Sequence, residues 1–228
     1  MAAPLADRRS WLRAAGAALA ALGLASRPTA AQTRAVSPFA PATHAPDDWL
    51  DRIPGKHRIV IDAVTPKGAG EAVLFASNLL TTNRSAYSMD DGDLAIVIVM
   101  RHFATPFAFT DAAWAKYGAR MGPLFDFKDP KTNDAPTTNL YNASGYGLQL
   151  PNLGSTIESV TNRGATIAIC DLATHFAAAE LARAGAGSAD AIYKDFTSMT
   201  LAHSRFVPAG VVAVTRAQEH GYALIYAG

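Results

Sequence analysis

The segment Leu94-Ala-Ile-Val-Ile-Val-Met100 is apolar at every position. A strand with one face in water alternates polar and apolar residues, so a run apolar on both faces belongs in a sheet covered by helices on both sides. Shorter runs of the same kind recur at Ile59-Val-Ile61 and Ala165-Thr-Ile-Ala-Ile-Cys170, with two more near the end, Gly210-Val-Val-Ala-Val214 and Ala223-Leu-Ile-Tyr226. Between them the period changes. Apolar residues at 72, 73, 76, 79, 80 and 86 predict a helix after the first strand, and further helices are expected at 111–117, 155–162, 172–184 and 189–199. Alternation of this kind predicts an α/β three-layer sandwich whose sheet, of about five strands, is mostly parallel. The eight residues from Thr215 to Tyr222 are short for a parallel crossover, so the direction of the last strand stays open. From 118 to 153 the sequence is polar, rich in Pro, Asn and Thr, and without period, which reads as a functional insertion or a flexible loop.

With 228 residues, half of them hydrophobic, the chain can bury one sizeable core. Its 20 Lys+Arg against 19 Asp+Glu leave no basic excess with which to displace counterions, so no nucleic-acid partner is expected. A single cysteine, Cys170, can build neither an internal disulfide framework nor a Cys-rich zinc site. No His-x-x-x-His pair occurs, so no metal site is expected, and His203 and His220 read as solvated. The sequence predicts no cofactor either. Lys67-Gly-Ala-Gly-Glu71 fits neither the Walker nor the dinucleotide pattern and reads as a tight turn, although a helix start there can cradle an anion. Absence of a Gly-x-Ser-x-Gly elbow argues against a serine hydrolase.

The first residues have the layout of an export signal. Arg8-Arg9-Ser-Trp-Leu precedes an uncharged Ala/Leu/Gly run from Ala14 to Ala25, too short to span a bilayer, and Thr29-Ala-Ala31 offers a cleavage site. The arginine pair resembles a twin-arginine signal, which implies a periplasmic protein that folds before export, with no stable membrane insertion after cleavage. An ordinary secretory signal would change the route and not the compartment. Residues 32–55, with Pro38, Pro41, Pro46 and Pro54, read as a linker or N-terminal arm ahead of one domain at 56–228.

In parallel sheets ligands bind beyond the carboxyl ends of the strands. That rule selects Thr65–Gly70, Arg101-His102-Phe103, Cys170-Asp171 and Thr215-Arg216. Cys170 stands where a strand gives way to a helix, and the first N–H groups and dipole of that helix favour a thiolate, the nucleophilic form. The adjacent Asp171 opposes this unless it turns away. His102 can accept a proton or hydrogen-bond a loop carbonyl, Arg101 and Arg216 can orient an anionic substrate, and His175 falls on another face of its helix from Cys170. On the same residues Cys170 also reads as a small buried hydrophobe, and Phe103, Phe107, Phe109 and Trp114 as either a pocket wall or core.

The segments Arg58–Asp62, Asp93–His102, Arg163–Cys170, Phe206–Val214 and Arg216–Tyr222, in this order and spacing, resemble the DsrE/DsrF-like sulfur-relay family. The resemblance implies a small α/β domain that assembles into oligomers, in which a cysteine after a strand accepts and passes on a persulfide. Cys170 is the residue that matches that role, with a sulfur donor or acceptor protein, or a small sulfur compound, as partner. The alternative is a non-catalytic periplasmic binding or oligomeric assembly module with a structural cysteine.

Overall fold

The computed structural model describes residues 40–228; the leader read at 1–31 and the start of the arm lie outside them. β2 (Leu94–Met100), buried along its whole length, sits at the centre of a five-stranded sheet of order β4-β3-β2-β1-β5, with β1 (His57–Ala63), β3 (Thr166–Cys170), β4 (Ser204–Val207) and β5 (Ala223–Ala227). All four pairings are parallel.

Register divides the strands between two cores. Ile59, Ile61, Ile96, Ile98, Met100, Ile167 and Ile169 point to one face. There they meet α2 (Pro66–Tyr87), α3 (Asp111–Leu124), α4 (Ile157–Thr161), α5 (Asp171–Arg183) and α6 (Ala189–Ser198). Val60, Ala95, Val97, Val99 and Ala168 point to the other face, covered by α1 (Trp49–Arg52) and α7 (Gly210–Glu219). The architecture is therefore helix, sheet, helix. The chain steps outward from β1 to β4 with its helices on the first face. It then returns across the sheet through α7 on the second, as right-handed crossovers require when the direction of travel reverses.

Two sequence expectations change. Gly210–Val214 is not a strand: it opens α7, whose buried residues Gly210, Ala213, Val214 and Ala217 follow the helical spacing. A short apolar run has no period of its own, and here the continuation to Glu219 decides. The fourth strand is Ser204–Val207, and the crossover spans 208–222, long enough for β5 to be parallel. Within the segment read as a linker or arm, Trp49 and Leu50 are buried against β2 and α7 residues.

The stretch from 118 to 153 begins inside α3, which runs to Leu124. The remainder is irregular but fixed. Buried Asn139 donates through Nδ2 to the carbonyls of Phe107 (2.8 Å) and Phe109 (2.9 Å) and accepts at Oδ1 from the Tyr141 N–H. Tyr141 in turn donates its hydroxyl to the Pro66 carbonyl at 2.6 Å. One side chain thus satisfies backbone groups that no ladder reaches.

Candidate active site

Adjacent strands β3 and β4 send their chains to opposite faces, β3 into α5 and β4 into α7. In open parallel sheets this is the crevice where ligands bind. It holds a cavity of about 270 Å³ lined by Arg101, His102, Cys170, Ala209 and Gly210, with Leu172, Phe176 and Val211 at an exposed apolar rim.

Cys170 ends β3 and caps α5. Its Sγ accepts the Ala173 N–H at 3.4 Å, and it is 7% exposed. The cap places sulfur at the positive end of a thirteen-residue helix. The Leu172 N–H donates to the Pro208 carbonyl, tying the start of α5 to the end of β4.

Arg101 follows β2 on the same face as Cys170. Its Nε and Nη2 donate to the two carboxylate oxygens of Asp62 at 2.6 and 2.9 Å, a bidentate pair across neighbouring strands. Those hydrogen bonds, with the charge of Asp62 behind them, raise the Arg101 pKa above its already high value against the cost of burial. Nη1 donates to no protein group among the described residues. Gly210 makes the fit possible: a Cβ there would overlap the Arg101 side chain. Asp62, 6% exposed, was not singled out by the sequence, although a carboxylate inside an apolar strand was the available signal.

His102 has a left-handed backbone, φ 53°, and its ring lies flat on Phe103 at 4.4 Å between centroids. The Phe103 N–H donates to the Val64 carbonyl, so the turn that carries His102 is pinned to the end of β1. Held conformations of this kind hold a side chain at a fixed angle to a site.

Two expected site residues lie elsewhere. Arg216 stands in the last turn of α7, where it pairs with Glu219 and lies 3.7 Å from Asp47, so it does not reach the Cys170 cavity. The reason is the helix itself, which carries residues after Gly210 away from the carboxyl edge. Asp171 faces away from the cavity, accepting the Tyr193 hydroxyl at 2.7 Å, with His175 Nε2 at 3.6 Å. That hydrogen bond raises the Tyr193 pKa. Its carboxylate is thereby turned from the thiol that it would otherwise oppose. His175 stacks on Tyr193 and belongs to this cluster.

Thr65–Gly70 is the N-cap and first turn of α2, with Thr65 Oγ1 accepting the Gly68 N–H. Phe107, Phe109 and Trp114 are core, whereas half-buried Phe103 borders a second cavity. Among the described residues no three His, Cys, Asp or Glu side chains gather as a metal site would need, and no helix is long and apolar enough to cross a membrane. Comparison with protein-family models, with curated proteins and with solved structures finds no match for this chain.

Proposed function

We propose that this chain is a DsrE-like, exported protein that handles sulfur as a persulfide on Cys170. The observation that carries the reading is the meeting of a helix-capping thiol and a carboxylate-braced guanidinium in the cavity at the β3/β4 crevice. The cap donates an N–H to the sulfur, and the guanidinium brings a cation to the same cavity.

The chemistry is thiol exchange. The Cys170 thiolate attacks the outer sulfur of a donor persulfide R–S–SH, the S–S bond breaks, R–S⁻ leaves, and Cys170 holds S–SH. An acceptor thiolate then attacks that outer sulfur and returns Cys170 as thiolate, with no net oxidation. Arg101 supplies an unused N–H donor toward an anionic donor molecule, and His102 at the cavity wall takes or returns the thiol proton. The apolar rim of Leu172, Phe176 and Val211 suits a protein partner or a second copy of the chain.

Intact mass spectrometry of the exported protein, purified without reductant, tests this. A thiol-removable gain of about 32 Da per sulfur on the native chain, absent from Cys170→Ser, is expected. A native chain that stays unmodified in the presence of persulfide donors overturns the reading.

A further inference from the structure

A cavity of about 480 Å³ lies beside the first turn of α2, and the sulfur reading makes no use of it. Its walls are aromatic and cyclic: Phe103, Phe125, Phe127, Tyr141, Pro66 and Pro151. Phe103 meets Phe125 edge-to-face at 5.5 Å, and Tyr141 lies 5.8 Å from Phe127, so ring faces and edges line the space already fixed in place. Tyr141 is locked by its hydrogen bond to Pro66, and at Gly70 a Cβ would come within 2.6 Å of the Tyr141 ring and of Pro151. Apart from Phe103 and the start of α2, the lining comes from residues 125–151, which gives that irregular stretch a structural purpose.

We propose that this cavity binds a small aromatic molecule carrying one anionic group. Its volume suits a ligand of one or two rings, and preformed aromatic walls pack planar groups edge-to-face without reorganising. Charge at the mouth sets the sign. With Lys67 held by Glu71, Lys128 and Asp126 line it as one cation and one anion, and the positive end of α2 tips the balance toward an anionic ligand. Lys67 is paired with Glu71 at 2.6 Å, whereas Lys128 has no ion-pair partner among the described residues and supplies the cation.

Two probes with the same ring system separate body from charge: 8-anilinonaphthalene-1-sulfonate, an anion, and neutral N-phenyl-1-naphthylamine. Fluorescence titration of the full-length chain is expected to give one site per chain for the sulfonate, bound about threefold or more tighter than the neutral probe. Lys128→Gln removes that preference and leaves the neutral probe unchanged. Gln149→Trp, which plugs the exposed rim without touching the core, weakens both probes roughly tenfold or more, and Phe127→Ala does the same where it folds. Phe176→Ser, beside Cys170, leaves binding unchanged. Equal affinity for the two probes overturns the anionic class. Absence of saturable binding, or binding that survives Gln149→Trp and falls with Phe176→Ser, overturns the site. Neither result depends on the reactivity of Cys170.

Discussion

At the carboxyl edge of one sheet, the crevice beside Cys170 and the aromatic cavity beside Tyr141 are built by different means. The crevice is made from the ends of strands and the beginnings of helices, and its polar groups are set by parallel register: Asp62, Arg101 and Cys170 share a face because their strands pair in step. The cavity is made from side chains of an irregular segment held by Asn139 and Tyr141, and its character is apolar. Regular structure delivers oriented charge to a site, since backbone direction fixes where dipoles and strand ends point. Irregular chain delivers shape, provided its own backbone groups find partners.

The comparison can be broken where each region is braced. Asn139→Ala strands the carbonyls of Phe107 and Phe109 and frees the loop, so it is expected to cost about 3 kcal/mol in urea unfolding and to abolish probe binding at the aromatic cavity. Thiol labelling of Cys170 in the folded protein should stay as it is; if both sites fail together, the two regions are one cooperative unit. Asp62→Asn is the converse. It leaves Arg101 without its carboxylate at a cost of about 2 kcal/mol, less than for a fully buried pair because Arg101 keeps contact with water. Persulfide loading of Cys170 should fall as the guanidinium loses the two hydrogen bonds that fix its position, and binding at the aromatic cavity should not change.

A third variant concerns the opposite edge of the sheet. The bidentate hydrogen bonds of Arg163 hold the Asp91 pKa below its ordinary value of 3.8. A lowered folded-state value means that the stabilisation is fully present above the unfolded-state pKa and lost as pH falls through the folded one. Asp91→Asn should therefore cost about 1 kcal/mol at neutral pH, a gap that closes in acid, measured by thermal unfolding across pH with both sites unaffected. Smallest of all is Arg216→Gln. With Arg216 on the outer turn of α7, persulfide loading of Cys170 is expected to be unchanged, and a loss would place α7 differently.

Much of this was legible along the chain. Leu94–Met100 and Ala165–Cys170 announce buried strands, and the residues at their carboxyl ends, Arg101, His102 and Cys170, meet in one cavity. Arg216 went astray with Gly210–Val214, because small apolar residues fit either period until their continuation is counted. Ser204–Val207 was hidden by its brevity and its polar first residues, as suits an edge strand. Asp62 was hidden differently: in a strand it looks like a flaw, and only a guanidinium from the next strand turns it into a brace.

The sequence by itself determined the alternation of strands and helices, the two-faced burial of the central strand and the placing of a thiol where a strand becomes a helix, because each follows from a local period or a residue's immediate neighbours. Only the tertiary structure decided that β3 and β4 part at Cys170, that Asp62 grips Arg101 from 39 residues away, and that the stretch after α3 closes an aromatic cavity. Those depend on strand order and on contacts between distant segments, and no local pattern carries that information.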